Sequence, residues 1–103
     1  MFKVKLHHEA ETELLNLPAL VSAKMVRMLE KLEINPQALR EPYCKPIGNG
    51  MFEVRTMGSD IARGLWVYQT GNQIFVLSIF IKKTSKTPRP EIELAWRRIK
   101  EML

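Results

Sequence analysis

Three lysines and an arginine crowd the end of one apolar run. In "FIKKTSKTP", Phe80 to Pro88, the residues Lys82, Lys83 and Lys86 are followed by Arg89, and no acid comes before Glu91. Upstream, Arg55 and Arg63 stand on two neighbouring strand-like runs, with Glu53 just ahead of Arg55. Side chains alternate along a strand, so Glu53 and Arg55 share one face. A tight antiparallel pairing then brings Arg63 near Arg55. Guanidiniums that close repel each other unless an acid or a bound anion lies between them. Glu53 is the candidate acid and a phosphate the candidate anion. Lys82 and Lys83 point to opposite sides, so one of them follows the same face. Chemistry at phosphorus needs mainly positioning and charge stabilisation, which such a cluster supplies. Two plainer readings stay open: a salt-bridged strand surface, and lysine gatekeepers that discourage aggregation of an apolar strand.

Other residues offer less. His7 and His8 could act on protons, but they adjoin a glutamate-rich helix start, where a capping or packing role fits. Trp66 and Tyr68 could stack on a base, a contact worth about 1–3 kcal/mol; their shared parity in a central strand also suits a core pair. Cys44 lies in a loop with no histidine or acid beside it to make a nucleophile. The serines at 22, 59, 78 and 85 form no nucleophile elbow, and Asp60 belongs to a turn.

The elements that position these groups follow from periodicity. "FKVKL" alternates as a short strand. Ala10, Leu14 and Leu17 make a helical stripe that Pro18 interrupts, and Val21, Met25, Met28 and Leu32, with Leu29 beside them, make a second, which Asn35-Pro36 ends. Together they predict an antiparallel helical hairpin. The proline- and glycine-rich stretch 35–50 reads as a connecting loop. Three strand-like runs follow, within "MFEVRTM", "IARGLWVYQ" and "QIFVLSIFIKK", joined by short turns that demand an antiparallel meander. Ile74–Ile81 is almost continuously apolar and should be the most buried strand. Ile92, Trp96, Ile99 and Leu103 stripe a last helix, with Pro88 or Pro90 in its first turn. The expected fold is α+β, β-α-α-β-β-β-α, with an antiparallel sheet packed on the N-terminal hairpin. Its other face is expected to be free for polar work.

The chain has 103 residues, 46% of them hydrophobic and 26% charged, which suits a single globular domain spanning 1–103. No run approaches a membrane span, and the charged N-terminus lacks a signal-peptide core. The lone cysteine excludes an intrachain disulfide and a four-cysteine zinc site, and a reducing cytoplasm is the expected location. The net charge of +5 is concentrated at one end, because residues 82–103 hold seven basic side chains against three acids. Such asymmetry points to an anionic partner.

The segment from Met51 to Arg98 resembles the RelE/ParE toxin superfamily, and within it the phage-derived HigB-like branch. The resemblance rests on Glu53-Val54-Arg55, Ala62-Arg63, Gly71 and the string Phe80-Ile81-Lys82-Lys83-Thr84-Ser85-Lys86-Thr87-Pro88 ahead of an amphipathic helix. It implies a toxin of a type II toxin–antitoxin pair, a ribosome-dependent mRNA endoribonuclease that uses the substrate's own 2′-hydroxyl and no metal or cofactor. Implied catalytic residues are Arg55, Arg63, Lys82 and Glu53, with Glu53 or a lysine as base and Arg63 as charge stabiliser. Lys83, Lys86, Arg89 and Lys45 are the implied RNA contacts. Implied partners are a helix-turn-helix antitoxin, whose complex with the toxin binds operator DNA, and mRNA on the ribosome. No tyrosine or histidine follows Tyr68, although other branches use one near the C-terminus, so the general acid is not assigned. ParE-type relatives share the fold and inhibit DNA gyrase; that reading and a non-catalytic RNA-binding module are the alternatives.

Overall fold

The computed structural model describes residues 1–81 and 86–103. Strand β1 (Lys3–Leu6) leads into helices α1 (His8–Leu15) and α2 (Ala19–Ile34). Strands β2 (Cys44–Gly48), β3 (Met51–Arg55), β4 (Ala62–Gln69) and β5 (Gln73–Ile81) follow, and helix α3 (Arg89–Met102) closes the chain. The sheet order is β1-β5-β4-β3-β2. Strand β1 runs parallel to β5, with Lys3 opposite Gln73 and Leu6 opposite Val76, and the other neighbours pair antiparallel. The parallel pair is possible because the helical hairpin provides a long crossover.

The expected hairpin, meander and last helix are all present, but the stretch 35–50 is not a plain loop. It contains a strand, β2, which pairs Cys44 with Val54, Lys45 with Glu53 and Pro46 with Phe52. Proline is tolerated there because β2 is an edge strand, and the register shifts between Pro46 and Gly48. The turn into β3 runs through Gly48, Asn49 and Gly50, all at positive φ. Asn-Gly is a strong hairpin signal, and it was present in the sequence.

Alternation along β3 and β4 sends side chains into two cores. Val54, Ala62, Trp66, Ile74, Val76 and Ile79 pack against the α1/α2 stripe of Leu14, Val21, Met25, Met28, Leu29 and Leu32. Burying each such side chain contributes about 1.5–3 kcal/mol. Gly64 serves this core. A Cβ there would lie 3.2 Å from Val54 Cγ1 and 3.7 Å from Met25 Sδ, so the glycine lets α2 pack directly on β4. Gly64→Val is expected to lower stability by about 1–3 kcal/mol through overpacking, measured by urea unfolding.

The second face of the sheet is not open as expected. Helix α3 lies on it, and Met51, Leu65, Val67, Phe75, Leu77 and Ala95 form a second core there, with Ile92, Trp96, Ile99 and Met102 packed on it. A 14-residue amphipathic helix needs an apolar surface, and the α3-facing residues of β3–β5 supply one. Leu103, expected on the stripe, is instead 76% exposed, because α3 ends one residue earlier.

A buried arginine ties these layers together. Beyond the end of β1, strand β5 has an uncovered edge, and α1 covers it. There the Ile79 N–H donates to Glu13 Oε1 at 2.9 Å, and Arg98 Nη1 donates to the Leu77 carbonyl at 2.9 Å. Arg98 also grips both oxygens of Glu13, at 3.0 and 2.9 Å. Burial opposes the Arg98 charge, but its bonds to Glu13 and the nearby charges of Glu13, Glu9 and Glu91 outweigh that and hold its pKa above the ordinary value. Arg98→Ala should cost about 2–3 kcal/mol, because the edge of β5 and Glu13 lose their donors together. Thermal unfolding of the variant checks this.

Candidate active site

Strand pairing does what alternation promised: Arg55 on β3 sits directly opposite Arg63 on β4, and Glu53 opposite Leu65. Glu53 is the acid between the two guanidiniums. Arg55 Nη2 donates to Glu53 Oε1 at 2.9 Å, and Arg63 Nη1 lies 3.7 Å from Glu53 Oε2. The hydroxyl of Thr87 donates to the same Oε2. The carboxylate is 0% exposed, so burial in water-poor surroundings is compensated by charge and hydrogen bonds on both of its oxygens.

The two arginines are not equivalent. Arg63 is 2% exposed and belongs to the interior, whereas the Arg55 side chain keeps 18% of its surface in contact with solvent. The expectation that both would emerge on an open face is therefore corrected. Burial under the α3 side of the sheet withdraws Arg63, and Arg55, nearer the edge, presents the charge. Beside Arg55 is a cleft of about 270 Å³ lined also by Lys45, Glu41 and Pro42. Lys45 reaches it because it pairs with Glu53 across β2–β3 and so shares its face.

Thr87 brings the following segment to the site. Its bond to Glu53 anchors the chain between exposed Lys86 and exposed Arg89, which opens α3. Sequence reasoning missed this contact; the threonine within the K-T-P string was the available signal. The structure thus brings together Glu53, Arg55, Arg63 and Lys45, with Lys86 and Arg89 on the anchored segment. Lys82 and Lys83 lie outside the described residues.

His7 is placed elsewhere. It caps α1, its Nδ1 accepting from the Glu9 N–H at 3.0 Å, while Nε2 pairs with Glu101 on α3 at 2.5 Å. His8 stacks on it, with ring centroids 4.4 Å apart. The capping role is the one observed. Trp66 is buried in the first core, as its parity suggested. Tyr68 is not a core residue and is 39% exposed.

Residues 12–100 match the sequence family described as phage derived protein Gp49-like. The chain belongs to that family. Among solved structures, the E. coli toxin RelE, as a double arginine-to-alanine mutant in the free state, aligns with a TM-score of 0.67 and 16% identity. That alignment covers 99% of this chain and 98% of the other. The RelBE2 toxin–antitoxin complex of Mycobacterium tuberculosis contains a chain that aligns with a TM-score of 0.60 and 21% identity, over 79% of this chain and 98% of that one. A search of curated proteins finds no significant match. The Gp49-like chain therefore has the RelE-like α+β fold expected from its sequence. No helix among its described residues is long and apolar enough to cross a membrane.

Proposed function

We propose that this Gp49-like protein is the toxin of a type II toxin–antitoxin pair and acts as a ribosome-dependent mRNA endoribonuclease. The observation that carries the reading is the clasp of Glu53 between Arg55 and Arg63, beside a cleft that Lys45 also lines. Such a clasp holds two cations in fixed geometry before substrate arrives, and fixed donors stabilise developing charge without reorganising. A phosphate seated in the cleft meets the Arg55 guanidinium and Lys45. Lys83, Lys86 and Arg89 hold the flanking backbone.

In the proposed reaction the ribose 2′-oxygen attacks the adjoining phosphorus and the bond to the 5′-oxygen breaks. The products are a 2′,3′-cyclic phosphate and a 5′-hydroxyl end. Charge gathering on the phosphorane oxygens is met by Arg55, with Arg63 reinforcing it from below, and Lys82 is the further cation proposed to act on the phosphate. Glu53, surrounded by Arg55, Arg63 and Thr87, orients the arginines. The proton of the 2′-hydroxyl passes to a lysine in its neutral form, and the departing 5′-oxygen takes a proton from water to become the 5′-hydroxyl.

The proposed partners are a helix-turn-helix antitoxin, whose complex with the toxin binds operator DNA, and translated mRNA in the cytoplasm. The M. tuberculosis relative of the same fold was solved as a toxin–antitoxin complex, which supports the antitoxin. Brief induction followed by primer extension tests the function. New ends inside translated codons are expected. Intact messages together with arrested DNA replication would overturn the reading in favour of gyrase inhibition.

A further inference from the structure

Threonine is a favoured cap at a helix start, where its hydroxyl serves the free N–H groups of the first turn. Helix α3 does not use Thr87 in that way. The cap position belongs to Pro88, which makes no side-chain capping bond, and Thr87 stands one residue ahead. Its hydroxyl donates instead to Glu53 Oε2, 34 positions away on β3. That carboxylate is wholly buried and is the one that Arg55 and Arg63 flank.

The chain that follows Thr87 is stiff. Pro88, at φ −65° and ψ 136°, and Pro90, in the first turn of α3, have φ fixed by their rings, and exposed Arg89 lies between them. On the far side α3 is docked, with Ile92 and Trp96 packed on the second core. Arg89 is therefore held from both directions. It stands at the first turn of a docked helix, and at most about 7 Å of chain separates it from Thr87. A hydroxyl needed only to satisfy Glu53 would serve as well on any neighbouring element. On this segment it also fixes where Arg89 stands relative to Arg55.

We propose that Thr87 is a positioning residue: by holding Glu53 it sets Arg89 in a fixed place relative to the Arg55 cleft, so that one RNA strand meets both cations. That the strand is RNA rests on the function proposed above. Without the bond, the segment ahead of α3 loses its pin, and Arg89 must be ordered each time a strand binds. Ordering of that kind lowers affinity, and the pin removes the need for it.

Salt dependence separates this role from plain support of Glu53. Cations that bind a single strand release its counterions, so log affinity falls with log salt by about 0.7 for each phosphate contact. The measurement is fluorescence anisotropy of a labelled 2′-O-methyl RNA hexamer, which has no free 2′-hydroxyl to attack, with the full chain over a series of salt concentrations. Arg89→Ala should lower the slope by about 0.7. Thr87→Val removes a hydroxyl and no charge, yet it should lower the slope equally, and the double variant should lower it no further. Thr87→Ser keeps the hydroxyl and should restore the wild-type slope. Pro88→Gly guards against a folding defect, because it leaves the contacts of Glu53 in place and loosens only the link to Arg89. It should weaken hexamer binding about 2-fold to 5-fold, the effect of the backbone freedom that glycine adds.

A wild-type slope in Thr87→Val or in Arg89→Ala, additive losses in the double variant, or unchanged binding by Pro88→Gly would overturn the positioning role. Message cleavage in cells is scored separately. An unchanged slope with cut messages refutes the positioning role alone. A lowered slope with intact messages supports it while refuting the nuclease, and a wild-type chain that binds no hexamer refutes both.

Discussion

Arg63→Ala is expected to abolish growth inhibition and to slow message cleavage at least about 100-fold, the loss typical when a fixed donor to developing charge is removed. The residue is almost wholly buried and paired with Glu53, so its loss also weakens the fold. The surviving Arg55 and Thr87 contacts limit that cost to about 1–3 kcal/mol. Because activity and stability fall together in this variant, Arg55→Ala is its necessary companion. Its side chain is partly in solvent, so cleavage should fall by a similar factor with a smaller shift in melting temperature. Single-turnover cleavage and thermal melts on both variants separate the two effects. Full toxicity of Arg63→Ala, in a chain that melts like the wild type, would contradict a role for the clasp.

Glu53→Gln should have the largest effect on stability. The substitution keeps shape but removes the carboxylate charge that sits between Arg55 and Arg63, which lie opposite each other across β3 and β4. Breaking a buried ion pair from one side typically costs about 3–5 kcal/mol. It should show as a large drop in the urea midpoint. Activity distinguishes two roles for the carboxylate. If Glu53 orients the arginines, the variant is slower but keeps the wild-type shape of its pH–rate profile. If Glu53 accepts the 2′-hydroxyl proton, the acidic limb of that profile disappears. The first outcome is expected, because both carboxylate oxygens already accept from Arg55 and Thr87.

Local pattern carried much of this molecule. The α2 stripe from Val21 to Leu32 and the apolar run of β5 declare their burial through spacing alone. The meander was legible because its turns are too short for any other connection. Alternation and tight pairing put Glu53, Arg55 and Arg63 on one face, with Glu53 as the candidate acid between the arginines. What stayed hidden depends on contacts distant in sequence. Strand β2 is built on a proline-rich segment that becomes a strand only by pairing with β3. The docking of α3 over the supposedly free face follows from which apolar residues lack partners, and period-two reading alone does not show that. Arg98 looked like one more basic residue in a charged tail; its partner Glu13 is 85 positions away. Thr87 likewise meets Glu53 across 34 positions.

The central claim is that the Arg55–Glu53–Arg63 clasp serves RNA cleavage through the 2′-hydroxyl. It is tested most directly with purified protein, programmed ribosomes and an end-labelled message, by determining the chemistry of the new ends. The account predicts a 2′,3′-cyclic phosphate on the upstream fragment and a 5′-hydroxyl on the downstream one, both absent with Arg55→Ala. A message left intact by the wild-type chain, or cut equally well by Arg55→Ala, would contradict it.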